Sequence, residues 1–174
     1  MIPLRDINPT RTTPVLTWTL IAINVAVWLY QWSLGPELEL FVRRWGVVPH
    51  YLTQEPSLGS WVTPLTSMFM HGGWMHLIGN VWFLHVFGDN IEDELGRPRF
   101  LVFYLACGLA AVAAQVAIDP TSRIPMVGAS GAIAGVLGGY MLLHPRAGVV
   151  ALVPIFILIQ LVELPAWVFL FVWF

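Results

Sequence analysis

The chain contains no lysine, a single cysteine and little charge of either sign. Its eight basic residues are all arginine, and with ten acidic residues the formal charge is −2. That balance excludes the polybasic surface on which nucleic-acid binding depends. Cys107 has no possible intrachain partner, so no intrachain disulfide can form. It lies within an apolar run and reads as a small packing residue. No His-Glu-x-x-His motif or Cys/His cluster occurs, and neither a metal nor a cofactor is expected. Charged residues make up 10% of the chain, against about 25% in an average globular domain. What fills the space is apolar: 57% of residues are hydrophobic and mean hydropathy is +0.75. Nine Trp and four Tyr suit the aromatic belts found where membrane proteins meet water. The composition describes an integral membrane protein, with lipid as its constant partner.

Residues 1–14 are polar and lead into the apolar run Val15 to Leu34. That run is too long for a signal-peptide core and has no Ala-x-Ala-like site after it, so it reads as a first transmembrane helix ended by Gly35-Pro36. Between Gly35 and Ser60, Leu38, Phe41, Val42 and Trp45 recur at helical spacing beside Glu37, Glu39, Arg43 and Arg44, the pattern of a segment lying in the interface plane. The second span is expected over Met75 to Phe87, the third over Phe100 to Ala117 and the fourth over Val127 to Leu143. Alternating the loops puts Arg5, Arg11, Arg97, Arg99 and Arg146 inside and Arg43, Arg44 and Arg123 outside, which favours a cytoplasmic N-terminus. Val149 to Val162 reads as an apolar connecting segment interrupted by Pro154, with a new helix starting at Glu163-Leu164-Pro165. From Pro165 the chain reaches only ~15 Å into a ~30 Å hydrocarbon core. The expected architecture is therefore an all-α polytopic transmembrane bundle with four full spans and a partial fifth. It comprises a cytoplasmic segment 1–14 and a membrane domain 15–174 that is incomplete at its C-terminal end.

Three polar side chains stand out within these runs. Ser130 opens the fourth span between Gly128 and Gly131, small residues that let a substrate backbone approach closely. A serine hydroxyl needs a base to take its proton and donors for the oxyanion that forms on attack. His76 and Asn80, at i and i+4 on one face of the second span, can supply two such donors. Polar groups are costly in hydrocarbon and are functional candidates by default. The other histidines fit less well. His144 lies ~21 Å along the same helix as Ser130 and cannot serve as its base. His85 faces elsewhere and is set to pair with Asp89, His50 reads as solvated, and His71 near the outer mouth is placed to orient loop groups or shuttle a proton. Gly131, Gly135 and Gly139 form a small-residue stripe suited to close helix packing.

Thr66 to Asn80 (TSMFMHGGWMHLIGN), Gly88 to Gly96 (GDNIEDELG) and Gly128 to Ala132 (GASGA), in that order, resemble the rhomboid family of intramembrane serine proteases. Val153-Pro154-Ile155-Phe156 and Glu163-Leu164-Pro165-Ala166-Trp167 look like that family's connection into its fifth helix. The resemblance implies a six-helix bundle in which Ser130 is the nucleophile. Its N–H, His76 and Asn80 would hold the oxyanion, with Gly128, Gly131 and His71 in support. The base would be a histidine on a sixth helix packed on the glycine stripe, and residues 1–174 hold no such helix. The stripe is accordingly expected to be groove-like and loosely covered. Two functions follow from the resemblance: an endopeptidase that cleaves single-pass membrane proteins near the outer boundary of a bacterial inner membrane, or a non-catalytic relative that holds transmembrane helices without cutting them.

Overall fold

The computed structural model describes residues 1–155 and 158–173. Phe156 of the Val153–Phe156 run and the terminal Phe174 lie outside the described residues. The first element is a strand, β1 (Ile2–Asp6), followed by the long helix α1 (Val15–Ser33). Short helices α2 (Leu38–Trp45), α3 (Pro49–Thr53) and α4 (Thr63–Thr66) make up the first loop. Three further helices, α5 (Trp74–Leu95), α6 (Arg97–Ile118) and α7 (Ser130–Leu143), form the body of the bundle with α1. The chain then forms strands β2 (Gly148–Ile155) and β3 (Leu158–Pro165) and ends in helix α8 (Ala166–Trp173). Two of these helices, Val15–Ser33 and Arg97–Ile118, are long and apolar enough to cross a membrane, and Ser130–Leu143 is apolar but shorter.

The bundle is mostly helical, as its apolar periodicity requires, but it is not all-α. β1, β2 and β3 form an antiparallel sheet in that order, with Ile2 opposite Leu152 and Val150 opposite Glu163. The tail that looked like a connecting segment is thus a hairpin, and the polar N-terminal segment supplies its third strand. Helix α8 begins one residue after Pro165 rather than at Glu163. Val149, Val150 and Val153 favour the pleated backbone. Pro154 is tolerated because β1 pairing stops at Leu152, so β2 has a single strand neighbour there.

The second helix also runs further than its apolar segment. α5 continues through the charged stretch to Leu95 because those charges have partners. Thr10 donates to Asp89 (2.6 Å), the Arg11 and Thr12 backbone and the Thr12 hydroxyl donate to Asp93, and Glu92 binds the start of α1. Gly96, at φ +73°, makes the left-handed turn that lets α6 begin at once. The core lies where α5, α7 and α8 meet: Phe87 touches Tyr140 edge-on (5.0 Å between ring centroids) and Phe169 in a stack (6.1 Å).

Candidate active site

Ser130 occupies the first turn of α7, with Ala129 at the cap. The amides of this turn have no carbonyl behind them in the helix, so they point free from its start. The strand-like approach to the helix is held from two sides. Met126 and Val47 exchange backbone hydrogen bonds (2.7 and 3.1 Å), and the Gly128 N–H donates to the Ser67 carbonyl (2.9 Å). Gly128 has φ +135°, and a Cβ there would fall 2.7 Å from His76 Nε2 and Cε1. Backbone conformation and space both demand glycine.

The same point lies 3.5 Å from Ser130 Oγ. Together the two distances cap the separation of His76 Nε2 and Ser130 Oγ at about 6 Å. His76 is half-buried, and its Nδ1 accepts the Gly72 N–H at 3.3 Å. An accepting nitrogen carries no proton in a neutral imidazole, so Nε2 bears the hydrogen on the side facing Gly128. Asn80 lies one turn further along α5, buried, and its Nδ2 has no hydrogen-bond partner among the described residues. An amide N–H₂ left unbonded in such a place is a donor awaiting an acceptor.

His71 sits behind this group. Its backbone is gripped by Gln31, whose side chain accepts the His71 N–H (2.9 Å) and donates to its carbonyl (3.1 Å). The ring is 1% exposed and meets the His76 ring edge-on at 5.2 Å. Burial, and secondarily the neighbouring His76, pull the His71 pKa down to about 4, so it is neutral near pH 7.

A cavity of about 430 Å³ opens beside Ser130, walled by Gly128, Gly131, Ser67, Met126, Val127 and Gln115. Ser67 and Gln115 were not singled out from the sequence. Ser67 lies inside the quoted Thr66–Asn80 run but carries no spacing signal of its own. Gln115 was readable only as a polar residue in an apolar helix.

Several expectations fail here. The glycine stripe is not left open: it is filled by α6. A Cβ on Gly131 or Gly135 would run into the side chain of Ala111 or Cys107, and one on Gly139 would touch the Phe103 ring at 3.4 Å. Small residues drew the neighbouring helix close, and that neighbour is the preceding span. His50 is not simply solvated; it joins Glu55 (3.3 Å) and Arg123 (3.2 Å). His85 lies against the Trp18 ring at 5.0 Å, while Asp89 is bound by Thr10.

A Rhomboid domain profile matches residues 58–174. Among curated proteins, the rhomboid protease GluP of Bacillus subtilis is 39% identical over 83 residues, covering 48% of this chain and 16% of its own length. The rhomboid protease AarA of Providencia stuartii is 29% identical over 134 residues, 70% of this chain and 48% of its own. Rhomboid-like protein 11, chloroplastic, of Arabidopsis thaliana is 32% identical over 113 residues, 64% and 39% respectively. The chain therefore spans less than half the length of each of these relatives. It belongs to the rhomboid family, and its apolar character fits a family of membrane proteins.

Proposed function

We propose that this protein is an intramembrane serine endopeptidase with Ser130 as its nucleophile. One observation carries this reading: the Ser130 hydroxyl and His76 Nε2 both lie beside the same glycine, within about 6 Å of each other. A carbonyl carbon attacked by Ser130 Oγ would place its oxygen between the Ser130 N–H, His76 Nε2 and Asn80 Nδ2. That is the arrangement which stabilises a tetrahedral oxyanion. The hydroxyl proton passes to a base, which this reading takes from the histidine of the sixth helix that the resemblance implies. The protease names of GluP and AarA support the same chemistry.

Residues 15–174 would lie in a polytopic membrane domain of a bacterial inner membrane. Its spans would include α1, α5, α6 and α7, with segment 1–14 on the cytoplasmic side. Ser130 and His76 would then lie toward the outer face, and single-pass membrane proteins would be cut near that boundary. The reading is tested by treating the full-length protein in lipid with a fluorophosphonate and mapping the adduct by mass spectrometry. Labelling of Ser130, lost in Ser130→Ala and weakened in His76→Ala, is the expected result. Absence of label, with transmembrane peptides still retained, would replace this reading with the non-catalytic binder.

A further inference from the structure

The first loop contains two cavities that the serine site does not use, one on each side of α2. The polar one, about 270 Å³, is lined by Arg43, Arg44, Tyr51, Ser57, Ser60 and Thr63 among others. The apolar one, about 260 Å³, is lined by Ile23, Val27, Phe41, Trp45, Phe69 and Met70. Helical spacing explains the separation. Phe41 and Trp45 at i and i+4 share a face, while Arg43 projects from the opposite side. Arg44 joins the two cavities, because it lines the polar one while its guanidinium lies 5.7 Å above the Trp45 ring that lines the apolar one.

We infer that this loop binds one anionic phospholipid, its phosphate held by Arg43 and Arg44 and an acyl chain laid against Phe41 and Trp45. Three observations converge on that ligand. The first is charge. Arg43 is joined at 3.1 Å to Glu39, which is itself well exposed, and no ion pair among the described residues includes Arg44. The one carboxylate in the cavity wall, Glu55, is turned to His50 Nε2 at 3.3 Å, and that nitrogen lies 3.2 Å from Arg123. Guanidinium groups present paired donors that match phosphate oxygens.

The second observation is surroundings. Leu40 is 71% exposed and Trp61 66%, so the loop is rimmed by apolar and aromatic side chains that water does not favour. That is the composition of a segment lying at the headgroup level. The third is position. Arg43, Arg44 and Arg123 are the basic residues on the Ser130 side of the bundle, against the usual asymmetry of arginine in membrane proteins. Phosphate at the headgroup level on that side would meet the Arg44 guanidinium, which no carboxylate among the described residues holds. The inference uses none of the serine chemistry and stands or falls separately from it.

Native mass spectrometry of the full-length protein in detergent provides the test, with phosphatidylglycerol, phosphatidylcholine and glycerol 3-phosphate as probes. Retention of one phosphatidylglycerol in preference to phosphatidylcholine is expected. The paired substitution Arg43→Gln and Arg44→Gln should weaken it about 30-fold, the factor expected for two basic groups near an anionic headgroup. Lysine at both positions should recover most of the binding, and Phe41→Ala should weaken phosphatidylglycerol while leaving the circular dichroism spectrum unchanged. Equal retention of the two lipids, or an unchanged affinity in the double glutamine variant, would overturn the inference. So would glycerol 3-phosphate displacing the lipid at equal concentration, which would reveal an anion site without a place for the chain.

Discussion

Glu92 caps a helix to which it does not belong. Its Oε2 accepts both the backbone N–H (2.7 Å) and the hydroxyl (2.8 Å) of Thr17, and its Oε1 accepts the Leu16 N–H at 3.0 Å. Helix α1 has no side-chain cap of its own, since Pro14 stands at that position. A carboxylate from α5 therefore satisfies the orphan amides at the positive end of α1 and fixes how the two helices meet.

Removing that carboxylate should be costly, because charge-assisted bonds in a buried place are strong and their loss leaves amides unmet. Glu92→Ala is expected to lower stability by about 2–4 kcal/mol, seen as a reduced midpoint on thermal unfolding in detergent. Glu92→Gln keeps one acceptor and should lose less. Equal midpoints for the wild type and Glu92→Ala would show that the cap carries no stability.

Gly128→Ala should act through His76. The new methyl would meet the imidazole, and φ +135° is closed to alanine. Displacing one oxyanion donor costs about a hundredfold or more in comparable sites. The rate of fluorophosphonate labelling of Ser130 in the full-length protein is expected to fall by that order. A rate within twofold of wild type would separate His76 from the serine chemistry.

Gly135→Leu should force α6 and α7 apart, because Cys107 stands where the new side chain would go. Overpacking of this kind costs roughly 1–3 kcal/mol. Thermal unfolding in detergent offers a direct check: the midpoint of Gly135→Leu should fall well below that of Gly138→Ala, whose added methyl on the same helix has nothing within 4 Å. Equal midpoints would show that the stripe is not the α6 seam.

The N-terminal strand carries a pH-dependent contact. Asp6 accepts a hydrogen bond from Tyr140 at 2.5 Å. Burial, opposed by that bond and aided by the Asp89 charge, raises the Asp6 pKa from 3.8 to about 6. A carboxyl whose folded pKa lies above its unfolded value binds more protons in the folded state. Stability therefore falls as pH rises from about 4 through about 6 and is level beyond. Because the group is partly exposed, the drop should amount to roughly 1–2 kcal/mol. Unfolding midpoints between pH 4 and 7 should show it, and Asp6→Asn should flatten the slope. A slope identical in that variant would assign the effect elsewhere.

Much of the bundle could be read from the chain. Apolar runs located α1, α6 and α7 to within a few residues. Ser130, His76 and Asn80 stood out because polar side chains are rare and costly in such runs. The extension of α5 to Leu95 was hidden because its charges looked like a helix end, and only their partners in residues 10–17 show why the helix goes on. The apolar run Val149–Val162 was ambiguous by nature, since periodicity cannot distinguish a buried strand from other apolar segments.

Residue type and local spacing, then, were enough to show the membrane-type character of this chain and its principal helices and to single out Ser130, His76 and Asn80, because each depends on the cost of a side chain in its immediate surroundings. The sheet joining Ile2 to Leu152, the filling of the glycine stripe by α6, the cap of α1 by Glu92 and the approach of His76 to Gly128 were decided only in three dimensions. Each is a pairing between distant segments, and a pairing becomes favourable only when the whole chain has brought both partners to the same place.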